Sequence, residues 1–285
     1  MTRLAASYAY CRAVARNRAK NFYYAFAVLD SSRRDAMCAI YTFMRVCDDR
    51  SDAPGEPAVK RQLLDEWGQQ LTSALEGQLP LHPVWPAFTD TVKRFGIPGH
   101  YFHEMIDGVT SDIDRQRIQT FDELYRYCYQ VASVAGIATI HVFRFRDAEA
   151  LPLAEKCGVA FQLTNIIRDV KEDFQNGRVY LPQTEMSQYG VTEPDLAGAT
   201  ESESLQALLK FEAERAWSYY RESRPLLGMI DPSCRGSLWA LIEIYSRLLA
   251  RIERDRFPVL QRRVRISTLE KMWLLFRGLV MKWSS

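Results

Sequence analysis

Apolar residues recur at three- and four-residue spacings through almost the whole chain, and no run alternates apolar with polar over a strand's length. The pattern predicts helices throughout. Pro54-Gly55-Glu56-Pro57, the 79–86 stretch, Gly96-Ile97-Pro98-Gly99, Asn176-Gly177, Glu193-Pro194 and Asp231-Pro232 divide it into segments of helical length. None of these breaks is long or polar enough to be an interdomain linker, so residues 1–285 read as a single all-α domain. Three segments matter most. One helix is expected from about Arg33 to Asp52, capped by Ser31 or Ser32, another from Asp122 to Arg144, and a third from Leu153 to Phe174, stopping before Asn176-Gly177.

Two of these helices carry polar stripes where packing seams are expected. Tyr41, Arg45, Asp48 and Asp52 fall within a sector of about 60° at 100° per residue. Asp49 is rotated off that sector. Gln162, Asn165, Asp169 and Asp173 make a similar stripe, with Arg168 and Glu172 alongside. A solvated face explains either stripe alone. Together they also repeat an i,i+4 aspartate pair, which costs a few tenths of a kcal/mol when exposed and more when buried. A divalent cation reverses that sign.

Carboxylates with few competing His or Cys ligands are hard oxygen donors suited to Mg2+, with Mn2+ as the alternative, and such ions bind substrate phosphate as well. Lys20, Arg45, Arg168 and the basic 254–271 stretch supply positive charge for a phosphate group. Phe22, Phe26, Tyr41, Phe43 and Tyr127 are among the aromatics available to line an apolar cavity, although aromatics at this spacing are more often plain core. The combination suits metal-assisted departure of diphosphate from an allylic carbon, with water kept from the carbocation.

Composition removes other classes. With 285 residues and 47% hydrophobic content the chain can bury a substantial core. Its 37 basic and 35 acidic residues leave a net charge of +2, which gives no global field for nucleic acid. Six cysteines without CxxC spacing read as reduced core residues of a cytoplasmic protein, and four histidines without paired-ligand spacing argue against zinc. The first residues lack the apolar core of a signal peptide, and the apolar run 131–143 has 13 residues, within an uncharged stretch of 17 from 127 to 143. A membrane span needs about 20. The C-terminal "KMWLLFRGLVMKWSS" either packs into the core or lies on a membrane surface, giving peripheral contact at the inner face.

The segments "NFYYAF" (21–26), "AIYTFMRVCDDRSD" (39–52), "YCYQVASVAG" (127–136) and "FQLTNIIRDVKEDFQNGRVYLP" (161–182) resemble the squalene/phytoene synthase family of head-to-head prenyl diphosphate synthases. The resemblance runs from about Tyr8 to Lys271. It implies an isoprenoid synthase helical bundle with a central cavity and Mg2+ held by Asp48 and Asp52 on one side and Asn165, Asp169 and Asp173 on the other. Lys20, Arg45, Arg168 and Tyr180 match diphosphate contacts, with Gln162 nearby. Tyr41, Tyr127 and Tyr245 match tyrosines of the reaction cavity. Asn21 stands where relatives carry serine, and Phe22 and Phe26 fall on the substrate-binding side.

In this family two prenyl diphosphates join through a cyclopropyl diphosphate. The "VASVAG" wording looks like bacterial hopanoid-pathway members, so the expectation is two farnesyl diphosphates giving presqualene diphosphate, or squalene if NADPH is used. Phe26 would block a deep tail pocket, whereas the small Cys38 would leave room for a longer chain. The alternatives are a phytoene synthase acting on geranylgeranyl diphosphate and, from another class, a noncatalytic helical prenyl-lipid-binding protein. No nucleic-acid partner is expected.

Overall fold

The computed structural model describes residues 2–19, 22–114 and 117–283. Among them the chain runs α1 (Arg3–Arg18), α2 (Phe22–Phe26), α3 (Ser31–Ser51), α4 (Pro57–Leu75), α5 (Trp85–Phe95), α6 (His100–Asp114), α7 (Phe121–Cys128), a π-helical turn (Tyr129–Ser133) and α8 (Val134–Phe143). It continues with α9 (Ala150–Gln175), α10 (Gln183–Gln188), α11 (Glu193–Leu196), α12 (Glu203–Ser223), α13 (Leu226–Met229), α14 (Pro232–Arg254) and α15 (Thr268–Trp283). The described residues contain no strand, only two isolated bridges, Arg117 with Val179 and Phe145 with Ile230. The all-helical expectation holds.

The ends of α3 and α9 lie close to those expected, but the cap of α3 differs. Asp30, not a serine, accepts the Arg33 N–H through Oδ1 at 3.0 Å, which puts a negative charge at the positive end of the helix. The expected 122–144 helix is interrupted. Val134 N–H bonds the Tyr129 carbonyl, the five-residue reach of a π turn. Here the chain meets α9 closely: a Cβ on Gly158 would stand 2.5 Å from Ser133 Cα, and Ser133 Oγ donates to the Glu155 carbonyl at 2.7 Å.

Two large apolar clusters hold the bundle. One is centred on Phe43 of α3, which stacks on Trp67 and Phe88 and meets Trp85 and Phe102 edge-on. The other joins α9, α12 and α14 through Leu163, Ile167, Leu208 and Ile244. All six cysteines are free and buried, as the sequence predicts, and burial pushes the thiols of Cys11, Cys38 and Cys157 up to about 12. No helix of the described residues is long and apolar enough to cross a membrane.

α14 and α15 touch backbone to backbone at Gly236 and Gly278. A Cβ on Gly236 would lie 2.0 Å from the Gly278 carbonyl oxygen, with only backbone there to give way. Gly236→Ala is therefore expected to destabilise the fold by about 3 kcal/mol, the upper range for overpacking. Chemical denaturation checks this, and an unchanged midpoint would show that the helices separate at little cost.

Candidate active site

α3 and α9 face each other across one cavity of about 350 Å³. Met37, Ile40, Tyr41, Met44, Arg45 and Asp48 line it from α3, and Ala154, Cys157, Gly158, Phe161, Gln162 and Asn165 from α9. Both sets have the same offsets, 0, 3, 4, 7, 8 and 11, one face of an α-helix. Both turn from apolar to polar toward the C-terminal end of their helix. The π turn and α8 add Val131, Ala132, Ala135 and Gly136, α14 adds Leu238, Leu241 and Tyr245, and Phe26 closes the apolar end. Cys38 is not among the lining residues and is fully buried in the α3 core. Its size therefore does not set the shape of this cavity.

Because both stripes become acidic at helix C-termini, the negative ends of two macrodipoles add to the carboxylates. Burial, with Asp52, Asp49 and Asp112 nearby, outweighs Arg45 and pushes the Asp48 carboxyl up to about 7. Half of this side chain is accessible, at the cavity it lines. Asp173 is likewise pushed up to about 7, by burial and then by Asp169, against the offsetting Arg178. An acid whose folded value lies above its ordinary one near 3.8 loses the fold stability as pH rises from there to the folded value. In chelator the melting temperature is therefore expected to fall between about pH 4 and pH 7 and to flatten above, and saturating Mg2+ to remove most of that fall. A melting series with and without Mg2+ checks this; a flat profile in chelator would overturn it.

Guanidinium groups sit on these acids. Arg45 bonds Asp49 and lies 3.7 Å from Asp48, and Arg18 reaches Asp49 at 2.8 Å. Arg168 donates from Nε to Asp169 Oδ1 at 2.8 Å, while Arg263 approaches both oxygens of Asp169 at 3.0 Å and Glu172 at 2.5 Å. Asn165 Oδ1 is buried without a hydrogen-bond partner, and its amide bonds Gln162 Oε1 at 3.4 Å. Tyr245 stacks on Phe161 with centroids 4.4 Å apart. Tyr41 lines the cavity, and burial raises its phenol above the ordinary value. Lys20 and Asn21 lie outside the described residues, as does the side chain of Phe22.

Tyr127 is not among the lining residues. It is buried and stacked on Tyr180 at 4.8 Å, and both hydroxyls donate to Asp112, to Oδ2 and Oδ1 respectively, each at 3.0 Å. Asp112, on α6, is the acid that the sequence reading missed. Its charge helps raise Asp48 and Asp173 and reaches Arg178, whose guanidinium also feels Asp52. A lone acid on a third helix has no spacing signal. Arg178 and Arg263 lay inside stretches noted for their chemistry but were not singled out.

Residues 15–270 match the family model described as squalene/phytoene synthase. The chain belongs to that family. It is an enzyme of prenyltransferase type, from the family that condenses prenyl diphosphates head to head and is generally Mg2+-dependent. Similar curated proteins include a phytoene synthase of Arthrospira platensis, 33% identical over 94% of this chain and 91% of the relative, and one of Mycobacterium bovis, 35% identical over 95% and 90%. A crystal structure of a dehydrosqualene synthase with bound ligand superposes with a TM-score of 0.91 at 30% identity, covering 99% of this chain and 98% of the other. The squalene synthase HpnC of Alicyclobacillus acidocaldarius, at 24% identity, 0.83 TM-score and coverages of 89% and 95%, supports the isoprenoid synthase fold alone.

Proposed function

We propose that this family member condenses two farnesyl diphosphates to presqualene diphosphate. The observation that carries the condensation is the pair of matched stripes on α3 and α9, polar at one end of a shared cavity and apolar along the rest. The fifteen-carbon choice is supported by Phe26, 2% exposed at the apolar end, and by the full-length likeness to a dehydrosqualene synthase.

The donor set fits Mg2+. It is all oxygen, one buried oxygen of Asn165 has no partner, and two carboxyls are held above their ordinary values by burial and then by neighbouring acids. No group of three or more His, Cys, Asp or Glu that could hold a metal converges among the described residues, so a bound ion would have to take its remaining ligands from phosphate and water. Asp48 and Asp52 would hold the metal from α3, and Asn165, Asp169 and Asp173 from α9. When bound, it would neutralise charge developing on the departing diphosphate.

Arg45, Arg168 and Arg263, now on carboxylates, are placed to exchange them for phosphate oxygens. Lys20 is assigned to the same task from the resemblance, with Asn21 and Phe22 beside it. Gln162 sits beside Asn165 at the polar end of the stripe. Tyr41, Phe161 and Tyr245 present rings to the cavity, where a carbocation gains from their π faces. Tyr127 and Tyr180 lie behind the cavity wall and both donate to Asp112, which holds in place an acid whose charge reaches Asp48 and Asp173.

A second reading, phytoene synthesis from geranylgeranyl diphosphate, is favoured by the names of the curated relatives. Mass spectrometry of products from each diphosphate, with and without NADPH, separates the two. A C30 diphosphate is expected from farnesyl diphosphate; a C40 hydrocarbon from geranylgeranyl diphosphate, with the shorter substrate untouched, would overturn the assignment. Neither substrate consumed would favour a noncatalytic lipid-binding protein.

A further inference from the structure

α15 is apolar on two opposite faces. Leu274, Leu275 and Gly278 turn toward α14 and α2, and Leu274 is fully buried. Leu269, Met272, Trp273, Phe276, Leu279 and Val280 lie on the other side and are 40–84% exposed. Their offsets of 0, 3, 4, 7, 10 and 11 keep them in one stripe. A helix apolar all round is ordinarily covered on every side, and a contiguous stripe of this kind marks an interaction face. The other exposed large hydrophobics among the described residues are spread over α1, α4 and the loop after α4.

The charges around the stripe say what covers it. Residues 256–283 contain seven Arg or Lys and one Glu, in a chain whose net charge is +2. The single acid, Glu270, already faces Arg251 at 2.7 Å and Arg247 at 3.6 Å. Arg262 is turned to Asp255 and Arg263 to the active-site acids, yet Arg256, Arg265 and Arg277 still outnumber Glu270. The Trp273 ring lies under Arg247 at 5.2 Å and Arg277 at 4.9 Å, and Arg277 also covers Trp239 at 5.3 Å. Tryptophan and arginine flanking an apolar stripe match the headgroup zone of an anionic bilayer. A symmetric dimer through the same face would set each basic segment against its own copy.

We propose that α15 is a docking face for an anionic lipid bilayer, lying in the headgroup plane with the Leu269–Val280 stripe in the acyl boundary. The inner side of the helix gives this a use. Leu275 packs with Ala25, Val28, Ala240 and Leu241, and Leu241 lines the cavity. Docking sets the apolar end of that cavity about one helix diameter, ~10 Å, from the acyl chains. The docking itself stands apart from the choice of substrate.

The test is flotation of the full chain with vesicles of phosphatidylcholine alone or mixed with phosphatidylglycerol. Binding is expected to be at least about tenfold stronger to the mixed vesicles and to weaken with added salt. The double variant Leu269→Glu/Phe276→Glu should lose at least about tenfold in binding, with its melting temperature and its turnover of detergent-dispersed substrate unchanged. Should that variant misfold, Arg265→Glu/Arg277→Glu is expected to remove the preference for phosphatidylglycerol. Equal binding to both vesicles, or variants that float like the parent, would overturn the proposal. So would a dimer in sedimentation that Leu269→Glu/Phe276→Glu dissociates, which would give the stripe to a second copy.

Discussion

Asp48→Asn and Asp169→Asn are each expected to reduce Mg2+-dependent consumption of farnesyl diphosphate by at least ~10³-fold, the scale of losing metal and charge stabilisation of a leaving group. The same substitutions should move stability in opposite directions. Asp48 is a carboxylate held above its ordinary value by burial and by three neighbouring acids. Its replacement by a neutral amide is expected to raise the melting temperature in chelator at pH 8. Asp169 accepts from Arg168 and Arg263, so its replacement leaves two guanidinium groups short of a partner and lowers the melting temperature. Equal loss of turnover with opposite shifts in melting separates a direct chemical role from damage to the fold. Normal turnover in both folded variants would remove the metal assignment.

Asp112→Asn is expected to cost about 10²-fold in turnover, the scale of misplacing reacting groups from a position behind them. The amide keeps the shape but withdraws the charge that both tyrosine hydroxyls address. It also removes a negative neighbour of Asp48 and Asp173, so the pH profile of Mg2+ activation should shift to lower pH. Tyr127→Phe should lose a similar factor in turnover without that shift. If Asp112→Asn behaves like a silent surface change in both readouts, the Tyr127–Asp112–Tyr180 cluster is merely structural.

Helical spacing made part of the cavity lining readable in advance, though Asp52, Asp169 and Asp173 of the same stripes are not among the lining residues. Tyr41, Arg45 and Asp48 on α3, and Gln162 and Asn165 on α9, do share one cavity, because a period of 3.6 residues projects them to one side whatever surrounds the helix. Asp112 was not readable, because its role is made by a crossing of three helices rather than by neighbours in sequence. The place of Tyr127 was misread for a related reason: its ring turns to Tyr180 and Asp112 behind the cavity. The α3 cap shows a local limit too, since Asp30, Ser31 and Ser32 are all good caps and only the chain's approach to the first turn selects among them.

The wide turn at Tyr129–Ser133 bears on how this chain can change length. A π turn holds one residue more than the α-helical turn it replaces. Losing a single residue there would tighten it to ordinary winding and leave Tyr127 on one side, and Ala135 and Gly136 on the other, facing as they do now. Losing one anywhere else between 121 and 143 would swing one half of the segment by about 100° against the other, taking either the tyrosine from Asp112 or the small residues from the cavity. Insertion and deletion across this whole segment thus have one tolerated address, and it lies against Gly158, where a shortened turn would have to be met by a repacked α9.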